Sequence, residues 1–198
     1  MLFFQQSDFL DRDNLPDFLN RRGLKGYGVG VGTHRGDYAK VILEKWEGRR
    51  LDCIDPWENS DAYKDQAVSL WGGARNREED YDAAFKNLNG FGERVRLIRD
   101  YSPQAANKYQ NNSLDFVYID GDHKQVAVAC DLWAWYPKLK TGGILAGHDI
   151  VCPGELPDKN WGKEIQPAVL EFCKMFNTTC YLIVESLCLP WSYYFIRS

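Results

Sequence analysis

Between Leu114 and Ile150 two short apolar runs, Phe116–Ile119 and Ile144–Ala146, each give way at once to acidic and imidazole side chains, with a helical stretch between them. Continuous apolar runs of this length read as strands buried on both faces, the kind found in sheets covered by helices on either side. In open α/β sheets ligands gather beyond the carboxyl ends of the strands, so Asp120, Asp122, His123, His148 and Asp149 mark where a site should lie.

The rest of the chain repeats the strand-helix alternation. Residues 7–22 carry Phe9, Leu10, Leu15, Phe18 and Leu19 at irregular helical spacing broken by Pro16, which predicts a helical cover over residues 1–24. A Val/Gly strand then runs into a glycine loop and a helix with Tyr38, Val41, Ile42 and Trp46 on its buried face. Leu51–Ile54 and Val95–Ile98 read as further strands, Glu78–Leu88 as a helix, and Ser102-Pro103 as the start of a helix reaching Tyr109. Val126, Cys130 and Trp133 give the next helix its apolar stripe, and Thr141-Gly142-Gly143 ends it and launches the Ile144 strand. After a loop-like stretch come a helix over Pro167–Phe176 and two closing strands, Tyr181–Val184 and Tyr193–Ile196, as an antiparallel pair. The predicted fold is α/β: a doubly wound, Rossmann-like, seven-stranded and mostly parallel sheet with an antiparallel C-terminal strand and helices on both faces. One domain accounts for residues 1–198, with 25–198 as its core.

Composition narrows the partners. A net charge of −4 and a pI near 5.4 argue against a nucleic-acid backbone or an anionic membrane as main partner. The first residues have neither a basic n-region nor a long apolar run, so no signal peptide or transmembrane helix is expected and a cytoplasmic location follows as the default. Six cysteines without a CxxC pair fit buried free thiols better than a zinc ribbon. Oligomeric state, homo-oligomer included, is left open.

Chemistry concentrates at the predicted strand ends. Glycines allow a ligand to approach N–H groups at a helix N-terminus, and Asp55 follows Gly36 by about 20 positions, the spacing of an acid that takes ribose hydroxyls. Asp100 and Tyr101 also end a strand. Residues 56–92 are either a lid or substrate wall or an ordinary crossover with a long approach. The three histidines, His34, His123 and His148, all fall in these loops. Asp120 and Asp149 end what would be neighbouring strands and could converge on a metal: oxygen ligands alone suit Mg²⁺, Mn²⁺ or Ca²⁺, and an added imidazole tilts toward Mn²⁺, Fe²⁺ or Zn²⁺. The structural alternative is that Asp122 and His123 cap the following helix and His148-Asp149 is a turn.

Taken in order, Val29-Gly30-Val31-Gly32-Thr33-His34-Arg35-Gly36, Asp55-Pro56-Trp57, Tyr118-Ile119-Asp120-Gly121-Asp122-His123 and Gly142-Gly143-Ile144-Leu145-Ala146-Gly147-His148-Asp149 resemble the class I S-adenosylmethionine-dependent methyltransferases. The likeness is greatest to the small bacterial catechol-type and macrocin-type O-methyltransferases and covers residues 25–196. It implies S-adenosylmethionine as cofactor, with Gly30, Gly32 and Gly36 at its methionine part, Asp55 on the ribose, and Asp100, Tyr101 and Ser102 flanking the adenine. It further implies a divalent metal on Asp120, His148 and Asp149, His123 as acceptor of the substrate proton, and a small hydroxylated molecule as methyl acceptor. Trp57, Trp71 and Trp161 are candidate acceptor walls. Two departures stand out: glycine (Gly28 or Gly30) where an acid usually ends the first strand, and His148 where catechol-type enzymes carry a carboxylate. The alternatives are a nicotinamide-dependent oxidoreductase, which would want a tighter glycine run than Gly32-Thr33-His34-Arg35-Gly36, and a non-catalytic nucleoside-cofactor-binding protein.

Overall fold

The computed structural model describes residues 3–58, 77–150, 164–184 and 191–198. Eight strands form one sheet: β1 (Phe4–Gln6), β2 (Tyr27–Val31), β3 (Arg50–Asp55), β4 (Val95–Arg99), β5 (Leu114–Ile119), β6 (Leu139–Ile150), β7 (Cys180–Ile183) and β8 (Trp191–Ile196). Their order is β1-β7-β8-β6-β5-β2-β3-β4, and β8 alone runs against its neighbours. The expected seven-stranded, mostly parallel sheet therefore stands with one addition, β1, which pairs with β7 at the edge. Three residues are too few for a period to register.

Helices α1 (Leu15–Arg21), α2 (Asp37–Lys45), α3 (Arg77–Leu88), α4 (Ser102–Ala106), α5 (Gln125–Trp135) and α6 (Ile165–Phe176) cover the sheet. Because strand side chains alternate, β5 serves two cores: Phe116 and Tyr118 pack with α1 and α2, while Val117 and Ile119 pack with α5 and α6. Pro16 opens α1 within its first turn, where the missing N–H costs nothing, instead of breaking a helix. The phase of α5 corrects the sequence expectation. Its buried residues include Val128, Leu132 and Trp135, whereas Val126 and Trp133 are exposed and Cys130 faces outward. Both stripes fit a 3.6-residue period, and packing against α6 selects one of them. The other described cysteines, Cys53, Cys173 and Cys180, are buried; Cys152 and Cys188 lie outside the described residues.

The strand after α5 starts earlier than Ile144. A 3-10 turn over Tyr136–Lys138 leads directly into β6, and Gly142, at φ 80°, makes the bend that the register shift opposite Leu114 and Phe116 requires. Gly28 is glycine for packing: a Cβ there would lie 2.1 Å from the Phe116 ring. No helix among the described residues is long and apolar enough to cross a membrane.

Candidate active site

The central strands β2, β3, β5 and β6 deliver their carboxyl ends to one cavity of about 560 Å³, within the range of small-molecule sites. At the end of β2 the Asp120 N–H donates to Val31 O at 3.0 Å, and the Gly32 N–H donates to Ile54 O at 2.9 Å. Gly32, at φ 76°, has no room for a side chain, since a Cβ would sit 2.0 Å from Asp120 O. The glycine loop is thus pressed against the end of β5. Gly30 and Gly36, expected beside the cofactor, are not on the cavity wall. Gly36 instead supplies the left-handed cap of α2 and packs where a Cβ would meet Leu88.

Asp55 lines the cavity at the end of β3, with both oxygens already engaged by the loop: His34 N–H donates to Oδ2 and Trp57 N–H to Oδ1, each at 2.9 Å. Trp57 is buried, donates its indole N–H to His34 O and packs edge-on to Tyr81. It is a loop brace and does not line the cavity, which corrects its expected role as an acceptor wall; Trp71 and Trp161 lie outside the described residues. Asp100, Tyr101 and Ser102 line it as well.

The far end of the cavity gathers Asp120, His123, His148 and Asp149. His148 and Asp149 sit where β6 shifts register between Gly147 and Ile150, and Asp149 adopts φ 62°, a left-handed backbone that non-glycine residues rarely hold. That strain aims the carboxylate inward, where it is buried. His123 Nε2 lies 2.9 Å from Asp149 Oδ2 and 3.9 Å from Asp120 Oδ1; His148 Nδ1 lies 2.9 Å from Asp149 Oδ1 and 4.0 Å from Asp120 Oδ2. The His148 contact is close but not aligned as a hydrogen bond, and Asp149 Oδ1 ends without a directed donor. Asp122, in contrast, accepts the Lys124 N–H at 3.0 Å and so caps the approach to α5.

Electrostatics follow from this crowding. Burial works against the His123 imidazolium, but the carboxylates of Asp120 and Asp149 outweigh it and push the ring up to about 10. Burial likewise works against the Asp149 carboxylate, and the two histidines override it, holding the acid well below the usual carboxylate range. An imidazole without such neighbours titrates near ~6.5, so this arrangement holds His123 charged where a free ring would be neutral. A divalent ion fits it: ligand atoms of Asp120, His123 and Asp149 lie within 4.8 Å of one another, a spread that one ion reaching each at ~2.0–2.4 Å can span.

Two wall residues gave no sequence signal. Arg12 reaches in from the 3-10 turn Arg12–Asn14, and Asp131 does so from α5. Asp131 is 4% exposed, and burial raises its carboxyl to about 6, with the Asp122 charge adding and the Ser102 hydroxyl opposing. An acid whose folded pKa exceeds its unfolded value of 3.8 stabilises the fold in its protonated form. That contribution is complete below about pH 4 and is lost as pH rises through about 6. Asp131→Asn should therefore gain on the unaltered protein by on the order of 3 kcal/mol between about pH 4 and about pH 7.5 in urea unfolding. A stability difference flat across that window would remove the buried-acid account.

A family profile described as a methyltransferase domain matches residues 29–150, from β2 to the end of β6. Among curated proteins, the uncharacterized protein R132 of Acanthamoeba polyphaga mimivirus is 25% identical over 145 residues, 71% of this chain and 56% of that protein. A second relative, y4gI of Sinorhizobium fredii, is 23% identical over 125 residues; the alignment takes in 61% of this chain and 13% of that protein. The chain thus spans little more than half of one curated relative and a small part of the other. Among solved structures, the O-methyltransferase of Bacillus cereus in complex with S-adenosylhomocysteine superposes with TM-score 0.60 at 18% identity, over 93% of this chain and 80% of that one. An rRNA methylase of Streptococcus thermophilus does so with TM-score 0.60 at 12% identity, over 92% and 93%. At such identities the superpositions speak for the fold alone, and the profile match, over more than half of the sequence, speaks for kinship. The chain belongs to the methyltransferase-domain family and carries it on the class I S-adenosylmethionine-dependent fold.

Proposed function

We propose that this domain transfers the sulfonium methyl of S-adenosylmethionine to a hydroxyl oxygen of a small molecule, with a divalent metal held at the Asp120 cluster. The observation that carries the reading is the single cavity running from Gly32 and Asp55 to Asp120, His123, His148 and Asp149. A nucleoside-type subsite and an oxygen-activating subsite share one space. Methyl transfer asks the protein chiefly to align oxygen, carbon and sulfur, and a walled cavity with a rigid strand-end floor supplies that alignment.

In this reading Asp55 holds the ribose, the Gly32 loop receives the methionine part, and Asp100, Tyr101 and Ser102 flank the adenine. Asp120 and Asp149 would hold the cation with His148, 2.9 Å from Asp149, as the imidazole ligand, which leaves His123, also within ligand reach, for the proton; an imidazole ligand would favour Mn²⁺, Fe²⁺ or Zn²⁺ over Mg²⁺. When bound, the cation would lower the pKa of the acceptor hydroxyl and orient it. His123, whose ring lies 2.9 Å from Asp149, would take the hydroxyl proton.

The acceptor argument rests on charge. The fold also serves an rRNA methylase, yet a chain of net charge −4 lacks the excess of Lys and Arg that phosphate backbones call for. The test is methyl-labelled S-adenosylmethionine with Mn²⁺ or Mg²⁺ and a panel of phenols, sugars and hydroxy acids. Label should appear as a methyl ether, and chelation should slow it by more than about tenfold. Label on RNA or on nitrogen would overturn the acceptor class, and undiminished transfer after full metal removal would overturn the metal's part.

A further inference from the structure

Asp131 is a carboxylate on the cavity wall that methyl transfer, as read above, leaves without a task. It belongs to α5 and is 4% exposed, yet it reaches the cavity. One hydrogen bond is fixed by its neighbours. The Trp135 indole N–H donates to Ser102 Oγ at 2.8 Å, which leaves the Ser102 hydroxyl proton for the Asp131 carboxylate. Among the described residues that hydroxyl is its donor, whereas a carboxylate offers about four acceptor sites. Such a group is costly, since burial raises its carboxyl to about 6 and the fold gains when it is neutral. A buried acid that weakens the fold and borders a cavity is the kind of residue that binding sites retain.

The other acids at this end of the cavity are occupied by the protein itself. Asp100 accepts the Tyr101 N–H at 2.9 Å and faces the Lys108 ammonium at 2.7 Å, and Asp122 accepts the Lys124 N–H. Asp131 meets the cavity beside Ser102, next in the chain to Tyr101, a partly open ring whose hydroxyl donates to Glu58 at 2.9 Å. An aromatic ring and an unfilled acceptor on one wall suit a purine with an exocyclic amine: the ring takes the face of the base, and the carboxylate takes an N–H. An ionised carboxylate accepts only, so it binds an amino group and repels a carbonyl oxygen in the same place.

We propose that Asp131 accepts an N–H from the exocyclic amine of the cofactor's adenine and so sets the cavity's choice of adenine over a 6-oxopurine. The proposal rests on the S-adenosylmethionine reading above. Calorimetry at about pH 8, where the carboxyl is ionised, compares S-adenosylhomocysteine with S-inosylhomocysteine, which carries a carbonyl in place of the amine. Both ligands are titrated into the unaltered chain, Asp131→Ala and Asp131→Asn. The unaltered protein should prefer S-adenosylhomocysteine by about tenfold or more, and Asp131→Ala should bring the two ligands within about threefold of each other. Asp131→Asn, whose amide can donate to a carbonyl, should bind S-inosylhomocysteine more tightly than the unaltered protein does. The ratio is the readout because a variant that only loosened α5 would weaken both ligands alike. A preference that Asp131→Ala retains, none in the unaltered protein, or an asparagine variant that binds S-inosylhomocysteine no better overturns the proposal while leaving the cofactor in place. Failure of the unaltered protein to bind either ligand would overturn the cofactor reading, and this proposal with it.

Discussion

Asp149→Asn is expected to weaken Mn²⁺ binding by about a hundredfold or more, measured by calorimetry on protein stripped with chelator and reloaded, while the fold survives. Asparagine matches aspartate in shape and tolerates the left-handed φ of 62° better than most residues, so the β6 bulge can persist and only the charge is removed. That charge is the one both imidazoles face, at 2.9 Å each. A second readout follows from the same loss. The His123 ring, held up to about 10 by Asp120 and Asp149, should titrate markedly lower by NMR in the metal-free variant. The sign for stability is that of a base with a raised folded pKa. In the metal-free protein the His123 contribution is fully present below about 6.5 and is lost as pH rises through about 10, and Asp149→Asn should flatten that dependence. Metal affinity unchanged in the variant would sink the metal site and leave the cluster as a charged turn.

The sheet was legible where a residue run had one possible environment. Phe116–Ile119 is apolar at every position and ends in Asp120, so a two-sided buried strand with an acid at its carboxyl end follows from sequence, and its acid stands where expected. The Asp120, His123, His148 and Asp149 group was legible for the same reason: parallel neighbours β5 and β6 must end together. Features requiring a choice between equal patterns were not. On α5, the stripes Val126, Cys130, Trp133 and Val128, Leu132, Trp135 have similar spacing, and only the approach of α6 decides between them. The glycines misled because their uses look alike in sequence: Gly28 avoids Phe116, Gly36 caps a helix, and Gly32 alone presses the loop onto the cavity floor. Arg12 could not be read at all, since it meets Asp120 across more than a hundred residues of chain and nothing local marks it.

Asp55→Ala is expected to lower S-adenosylhomocysteine affinity by about a hundredfold, because the carboxylate both faces the cavity and shapes it. Its oxygens accept the His34 and Trp57 N–H groups, so removing them frees two donors and releases His34 from its φ of 52°, a conformation the loop sustains through that bond. The ribose would lose its acceptor and the methionine part its loop in one substitution. Asp55→Asn separates these effects. An amide keeps one oxygen for the loop but cannot offer charged acceptors to both loop and ribose, so its affinity should fall between that of the unaltered protein and that of Asp55→Ala. Calorimetry decides: if Asp55→Ala binds S-adenosylhomocysteine as the unaltered protein does, Asp55 is a loop brace like Trp57, and the ribose must be held by other groups. If the asparagine variant binds as poorly as the alanine one, ribose recognition depends on the charge and the two N–H bonds are secondary. An intermediate asparagine would mean that shaping the loop and holding the ribose contribute separately, each through its own set of lone pairs on one carboxylate.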